Sequence, residues 1–468
     1  MFNTKSIKAG ILRRSCALIC AVSASVFCMP QTASAVVWDI QSDTSLNVYR
    51  YLDSNRNPIE RLRFGETLSV MAMTLPHGGK GRIFARTLLR LQGDPNVGEL
   101  TLVGAPADAG QHIIWRDVIR PVRFDVLSAS VAGFGVANGL IDFEIGRFVR
   151  LDSLGFAMVD GGMVRFRTPV KFGVGLLAGF EPSELRDSVS WNPFRLDGFA
   201  EHRSDPTVLM YGGTLFSNDI GLHSIRVDAR EWREVGADER ANIRSRQVGG
   251  AIRLAFPGIV FVDADARYDL IGDVLGDLRG RVMAPITDMF DLEARYNRTV
   301  PIFDTNSIWS VFSLYPMQDM SMGARVHLAP GLLINARGSF RVVEDARAPD
   351  YEPGAHLGIL WRKKRKSMLL SWDHYQGATG TWNLFWLEGG MPVIIPELTL
   401  RAGFTFVYIN DTVNTNLYTN GYGGHISANY QFAPGWTLRA FVENHETRLE
   451  KHATRAVLVL SSSFGGGQ

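Results

Sequence analysis

The sequence predicts an all-β fold, a transmembrane antiparallel β-barrel of about 18 strands within a range of roughly 16 to 22. Three observations lead to this prediction. Long segments alternate apolar and charged residues, the chain opens with a stretch typical of exported proteins, and turn residues separate the alternating segments. After the opening stretch, no apolar run reaches about 18 residues, the length that a transmembrane helix needs.

The clearest alternation covers three consecutive segments between Gly258 and Asn297. In each segment every second residue is apolar and the residues between are largely charged, which is the period of a strand and not of a helix. Each segment is about ten residues long, as a tilted strand must be to cross a bilayer. Strands of soluble sheets average about half that length. The pattern therefore predicts apolar residues facing lipid and charged residues facing a wet interior.

The charged faces of these and similar segments supply the candidate pore lining. The predicted pore-lining residues are Arg82, Arg86, Arg147, Arg226, Asp228, Asp263, Asp265, Arg267, Asp277, Arg279, Arg281, Asp291, Glu293, Arg295, Arg337 and Arg401. Opposed charges across a pore favour small polar solutes and bias ion selectivity. Alternatively, these residues only form ion pairs with one another in a water-filled interior and have no role in selectivity. Both interpretations stay open.

Residues 1–35 have the parts of a secretory signal peptide: basic residues from Lys5 to Arg14, an apolar run from Ala17 to Phe27 and a small-residue cleavage site at 33–35. We therefore expect a single outer-membrane barrel domain over residues 36–468. All three cysteines precede residue 36, so the expected mature chain has no disulfide or cysteine nucleophile. Its 45 basic and 47 acidic residues give no indication of a nucleic-acid partner.

Turn chemistry and aromatic residues indicate where strands end. Pro-Gly pairs stand at 330–331, 434–435 and 257–258. Counting strands back from the C-terminus places the first two at the periplasmic end and the third at the opposite end. Longer polar stretches at 182–206, 231–245, 344–354 and 410–421 are predicted to be outer loops. The aromatic residues predicted to anchor the wall at the two water interfaces are Trp361, Trp372, Trp382, Trp386, Trp436 and Tyr408.

Two short motifs resemble known outer-membrane proteins. Gly146-Arg147 ends an alternating segment and Asp160-Gly161 follows, which resembles the alginate-export-like group of porins, although Phe148 stands where that group has glutamine. The resemblance implies a passive channel of about 18 strands for anionic or sugar-like solutes. The last predicted strand, 454–464, ends in Phe464 and resembles the assembly signal of bacterial barrels, four residues before the end of the sequence. It implies the barrel assembly machinery and outer-membrane lipid as partners.

We therefore predict a porin-like channel in a Gram-negative outer membrane for passive diffusion of small polar or anionic solutes, with no enzymatic activity and no cofactor. Two alternatives stay open. One is a non-conducting structural or surface-exposed barrel, which the poorly patterned segments 36–58 and 93–121 would produce by folding into the interior. The other is an outer-membrane hydrolase, although Asp373 and His374 are adjacent and should point to opposite faces of a strand. The oligomeric state, monomer or trimer, also stays open.

Overall fold

The computed structural model describes residues 36–52, 58–74, 81–93, 122–182, 208–217, 223–235, 243–300, 315–344, 350–377, 380–411, 419–446 and 453–466. The predicted signal peptide lies outside these residues, and so does nearly all of the segment 93–121 that was expected to be able to enter the interior. No helix in the described part of the chain is long and apolar enough to cross a membrane.

The described residues form one sheet of 22 strands, in which each strand pairs antiparallel with the next along the chain. The strands are β1 (Val36–Leu52), β2 (Pro58–Thr74), β3 (Arg82–Gly93), β4 (Val122–Gly135), β5 (Ile141–Asp152), β6 (Gly155–Arg167), β7 (Phe172–Phe180), β8 (Val208–Ser217), β9 (Ser224–Glu234), β10 (Ile243–Phe256), β11 (Val260–Asp269), β12 (Val274–Thr287), β13 (Phe290–Thr299), β14 (Met317–Ala329), β15 (Leu332–Val343), β16 (Asp350–Lys363), β17 (Lys366–Gly377), β18 (Gly380–Val393), β19 (Ile395–Asp411), β20 (Thr419–Ala433), β21 (Trp436–Glu446) and β22 (Ala453–Gly466). A four-residue helix, α1 (Val136–Gly139), joins β4 to β5.

The sheet closes on itself because β1 pairs with β22 as well as with β2. The predicted all-β antiparallel barrel is thus confirmed, and its 22 strands lie at the upper limit of the expected range. The segment 36–58 was expected to be able to fill the interior, and this was wrong, since Val36–Leu52 is a strand of the wall. Its alternation is hard to recognise because polar residues such as Ser42 and Thr44 occupy its outer face.

The two ends of the barrel differ in the length of their connections. At one end, the short-turn end, the longest connection between strands is 75–81; at the other, the long-connection end, segments such as 94–121 and 181–207 join strands. All three Pro-Gly turns lie at the short-turn end, so the predicted position of 257–258 was wrong. Four strands, β11 to β14, lie between the turn at 257–258 and the turn at 330–331. Because an even number of strands returns the chain to the same end of the barrel, both turns lie at that end. The predicted long stretches all overlap long-connection-end segments.

Rings of aromatic side chains surround the outer face near both ends. At the long-connection end the phenol groups of Tyr211, Tyr268 and Tyr422 donate hydrogen bonds to acidic side chains. At the short-turn end Trp436 packs edge-on against Phe464, with their ring centroids 5.4 Å apart. Such rings mark the two water interfaces of membrane barrels. The outer face between them carries exposed apolar side chains, among them Leu176, Leu215, Val282, Met322, Leu357, Phe404, Ile426 and Leu458.

Candidate functional site

The strand register places the predicted pore-lining residues on the interior face, with the exception of Arg147. Residues directly opposite each other on paired strands share a face, and the pairs Asp263 with Arg281 and Asp265 with Arg279 continue one interior face from β11 to β12. The same face continues around the barrel through Glu293, Arg337 and Arg401.

Arg147 projects from the outer face, opposite Asp160 of β6, so the prediction that it lines the interior was wrong. The buried, inward residues of β5 are instead Asp142, Glu144, Phe148 and Arg150. The sequence prediction put charged residues inside and apolar residues outside. Phe148 breaks that rule because it packs against other apolar side chains inside the barrel.

The tip of the β5–β6 hairpin bends into the interior. Ser153 and Leu154 form its two-residue turn, at the long-connection end. The Ser153 hydroxyl donates a hydrogen bond of 2.7 Å to Asp228 on β9, and Leu154 is buried against the inner face of β10. Because β7 and β8 separate this hairpin from β9 in the wall, the tip must cross their inner faces. The wall itself therefore narrows the interior.

Glycines on the inner face make room for this tip. A Cβ added to Gly249 would lie 2.7 Å from Leu154 Cδ2 and 2.9 Å from Ser153 Oγ, both shorter than van der Waals contact. A Cβ on Gly179 would lie 2.6 Å from Val159 Cγ1. Side chains at these positions would push the hairpin away from the wall, so the inward bend depends on their being glycine.

An apolar cluster fixes the base of the bent hairpin. It consists of Phe148, Ala157, Val159, Met163, Leu177 and Met210, with the partly buried Trp232 packed against it. These residues lie on the inward face of β5 to β9. This part of the interior is therefore filled by packed side chains and not by water.

Replacing Phe148 with alanine is expected to destabilise the barrel by about 3–5 kcal/mol, the usual cost of removing a fully buried phenylalanine. Phe148 is 0% exposed, whereas Phe156 on the same hairpin is 54% exposed on the outer face. Denaturant unfolding of both alanine variants in lipid vesicles measures the difference. An equal or smaller loss for Phe148→Ala than for Phe156→Ala would contradict the packed interior.

Five charged residues hold the tip of the hairpin to β9. Arg150 Nε donates to Asp152 at 2.6 Å and its Nη2 to Asp228 at 3.0 Å. Arg230 donates to Asp152, and Arg226 Nη2 donates to Asp228 at 3.0 Å. The Asp152 and Asp228 side chains are at most 1% exposed. Breaking one partner of such a buried network leaves an uncompensated charge, so these contacts resist movement of the tip.

A second charged cluster lies on the interior face of β12 to β14. The Glu293 carboxylate accepts hydrogen bonds from Arg281 and Arg295, both at 2.5 Å, and from Arg325 at 2.6 Å. Arg281 and Arg295 stand directly opposite each other, an arrangement of like charges that destabilises a sheet and that Glu293 offsets. Within this cluster three guanidinium groups against one carboxylate leave an excess of positive charge, with Asp263 opposite Arg281 and Asp291 opposite Arg325 on the neighbouring strands. The arginine side chains are 38%, 42% and 26% exposed, so this charge is accessible from the interior.

Several residues predicted to line the pore form ion pairs on the interior face. The further pairs are Arg86 with Glu144, Arg253 with Asp263, Arg267 with Asp277 and Arg401 with Glu388. His327 Nε2 lies 3.3 Å from Asp291. Sequence reasoning did not identify Arg150, Asp152, Ser153, Arg230 or Arg325. The two-residue alternation of its own strand could have identified Arg325. The network around Asp152 joins residues 78 positions apart, for which the sequence has no local signal.

Aromatic and apolar side chains line another part of the interior, on β17 to β21. Trp382 stacks on Tyr375 with 4.8 Å between ring centroids, and the Arg341 guanidinium lies 4.9 Å from the Tyr375 centroid. Trp386, on the same face of β18 as Trp382, is 37% exposed. The expectation that Trp382 and Trp386 anchor the outer surface was therefore wrong. Strand position alone cannot tell which face a tryptophan occupies.

The residues considered for catalysis do not come together. Asp373 faces the interior and lies 2.7 Å from His356 Nδ1, whereas His374 faces outward and lies 2.9 Å from the Asn383 side-chain oxygen. The strand period separates them as the sequence indicates. Within the described ranges, no group of three or more His, Cys, Asp or Glu side chains is arranged to hold a metal ion.

No protein-family model matches the sequence, and no curated protein matches it. Among solved structures, the chain is similar to three porins with 8% identity and a TM-score of 0.46 in each case. They are OccAB4 of Acinetobacter baumannii (94% of this chain, 100% of that chain), OccK5 (OpdH) of Pseudomonas aeruginosa (92% and 98%) and a BenF-like porin of Pseudomonas fluorescens Pf-5 (92% and 99%). At 8% identity and a TM-score below 0.5, the solutes that those proteins transport give no information about the solute of this chain. The resemblance to alginate-export-like porins stays a prediction.

Proposed function

We propose that the protein is an outer-membrane channel through which small polar or anionic solutes diffuse passively, without enzymatic activity or a cofactor. A closed wall has no unpaired edge, and its apolar outer face between two aromatic rings suits a bilayer. The observation that carries the proposal is the Glu293 cluster, in which three exposed arginines share one carboxylate on the interior face.

The orientation in the membrane follows from the connections. Long connections of bacterial barrels face outward and short turns face the periplasm. The short-turn end, where Val36 and Gly466 lie, would then face the periplasm. Insertion from that side requires the barrel assembly machinery, which we expect to be a partner together with the surrounding lipid.

A solute passes through a channel when the lining attracts it weakly at several successive sites, so that it enters but also leaves. The Glu293 cluster supplies guanidinium N–H groups to replace part of an anion's hydration shell, and Glu293 prevents the binding from becoming too tight. The bent β5–β6 tip narrows the path at the level of Asp228, so it would limit the size of the solute. The tip occupies part of the interior next to β9 and β10. The alternative to be tested is therefore a barrel whose interior is too narrow to conduct.

Single-channel recording of the refolded chain 36–468 in a planar bilayer tests the proposal. We expect discrete, long-lived current steps, and in a salt gradient a reversal potential whose sign shows that anions pass more readily than cations. Heat-dependent mobility on gels shows independently that the barrel has folded. A folded barrel that never conducts would support the non-conducting alternative, and a preference for cations would contradict the role of the arginine cluster.

A further inference from the structure

A run of five basic residues, 362–366, forms the turn between β16 and β17 at the short-turn end. All five residues of this basic turn are exposed. Lys364 has a φ of 55°, the left-handed backbone conformation that tight two-residue hairpin turns require. The turn therefore concentrates positive charge at one place on the rim of the barrel.

Two lysines of the basic turn lie side by side on the outer face. Lys363 and Lys366 stand directly opposite each other on β16 and β17, an arrangement of like charges that destabilises a sheet. The interior residues Arg281 and Arg295 have the same arrangement, but there Glu293 offsets the repulsion. In the part of the chain that the structure describes, no carboxylate forms an ion pair with either lysine. An anion from outside the chain would therefore stabilise this lysine pair.

The outer face of β16 and β17 changes character in regular steps toward the lysine pair. Taken toward the short-turn end, the directly opposed pairs on this face are Ile359 with Leu370, Trp361 with Met368 and Lys363 with Lys366. Leu370 and Met368 are 40% and 42% exposed, and each step is two residues, about 7 Å along the strand. The order from aliphatic to aromatic to cationic side chains matches the order of hydrocarbon, water interface and headgroups in a bilayer. It places the two ammonium groups at the level of the lipid phosphates.

Hydrogen bonds to both neighbouring turns fix the basic turn in place. The Arg362 backbone N–H donates to the Gly331 carbonyl oxygen at 2.6 Å, and Arg365 Nη1 donates to the Pro396 carbonyl oxygen at 2.8 Å. Gly331 has a φ of 86°, and a Cβ there would lie 1.8 Å from the Arg362 carbonyl oxygen, so this close approach requires glycine. Because the backbone is already fixed, little conformational freedom would be lost when an anion binds.

The charge and the position of the lysine pair select the class of ligand. The adjacent turns 329–331, 362–366 and 394–397 contain five basic residues and one acidic residue, so they attract anions. Ammonium groups bind phosphate as compact point charges, and basic segments next to a bilayer attract anionic lipids. Because both lysines are on the outer face, they face the surrounding lipid and not the solution beyond the end of the barrel. A lipid phosphate therefore fits them better than a soluble anion or a cell-wall polymer.

We propose that Lys363 and Lys366 bind the phosphate of an anionic phospholipid in the leaflet at the short-turn end. The acyl chains of this lipid lie along Met368 and Leu370, and Trp361 lies at the level of its glycerol group. The bound phosphate offsets the repulsion between the two lysines. This inference rests on the membrane location in the proposed function and not on conduction, so a non-conducting barrel would leave it standing.

The fluorescence of Trp361 tests which lipid lies beside the lysine pair. The chain 36–468 is refolded into vesicles of phosphatidylcholine and phosphatidylglycerol, with bromine on the acyl chains of one lipid or the other, because bromine quenches indole fluorescence at contact. The signal of Trp361 is the difference between each protein and its Trp361→Phe counterpart. We expect phosphatidylglycerol to be favoured on the order of ten-fold, since each lysine near an anionic surface contributes about five-fold. The double variant Lys363→Gln/Lys366→Gln should reduce this preference at least about five-fold.

The matched control is Arg362→Gln/Arg401→Gln, which removes the same charge from the interior face and should keep the wild-type preference. Heat-dependent gel mobility shows that each variant has folded. Equal quenching of wild-type Trp361 by the two brominated lipids would overturn the proposal, and so would a preference that survives the lysine substitutions. A control that loses as much preference as the lysine variant would also overturn it, because net charge alone would then account for the attraction.

Discussion

Replacing Asp228 with asparagine is expected to raise the single-channel conductance, on the order of two-fold, because conductance follows the open cross-section of the path. Asp228 accepts hydrogen bonds from Arg150, Arg226 and Ser153, and with the Arg230–Asp152 pair it holds the bent hairpin tip to β9. An amide has the same shape but leaves the arginine charges uncompensated. Breaking a buried ion pair in this way costs about 3–5 kcal/mol, which is enough to release the tip.

The matched control is Asp263→Asn, the same substitution on the same interior face. Asp263 pairs with Arg253 at 3.2 Å, but the two side chains are 36% and 60% exposed, and solvent-exposed pairs contribute little. We expect the conductance of this variant to stay within the scatter of the wild type. Equal conductance for Asp228→Asn and the wild type would show that the tip does not limit the path.

An independent variant shows whether movement of the tip is the cause. Gly249→Ala leaves the charge network intact but places a Cβ 2.7 Å from Leu154 Cδ2 and 2.9 Å from Ser153 Oγ, so it should displace the tip. We expect it to raise the conductance as Asp228→Asn does. An unchanged conductance for Gly249→Ala would place the effect of Asp228 elsewhere than in the tip.

Replacing Arg281, Arg295 and Arg325 together with glutamine is expected to convert the preference for anions into one for cations. One guanidinium about 4 Å from a monovalent anion contributes about 1 kcal/mol even in bulk water. Removal of three such charges, with Glu293 left uncompensated, should lower the anion-to-cation permeability ratio on the order of ten-fold. Reversal potentials in a salt gradient measure this ratio.

Two further variants separate net charge from local structure. Glu293→Gln leaves the three arginines and should shift the reversal potential in the opposite direction, toward stronger anion preference. Arg401→Gln removes a more accessible arginine, 60% exposed, whose Nη1 lies 4.0 Å from Glu388, outside the cluster, and should change the ratio much less than the triple variant. A reversal potential that moves equally for Arg401→Gln and the triple variant would contradict a local role for the cluster.

The sequence is sufficient to predict the barrel and most of its interior face, because both follow from a local two-residue period. The charged side chains between Asp263 and Arg295 share one face of β11 to β13, because the two-residue period there separates charged from apolar side chains. The exact number of strands was harder to predict, because Val36–Leu52 has polar residues on both faces and so lacks a clear alternation.

The bent hairpin could not be predicted, because the contacts that hold it are distant along the chain. Ser153 and Asp228 are separated by 75 positions, and Phe148 is apolar yet faces inward, which reverses the rule used to assign Arg147. The glycines opposite the tip, such as Gly249, were visible in the sequence. Their meaning depends on which side chain lies over them, and only the folded chain shows that.

The pairing of β1 with β22 has a consequence for how the chain acquires its structure. The Ser461 hydroxyl donates to Asp43 across a separation of 418 residues, so the ring of backbone hydrogen bonds is incomplete until the last strand is in place. Contacts this distant in sequence make folding slow. Until then the unclosed sheet has two open edges, which are templates for pairing with other chains, so we expect the unclosed chain to aggregate unless another protein covers these edges.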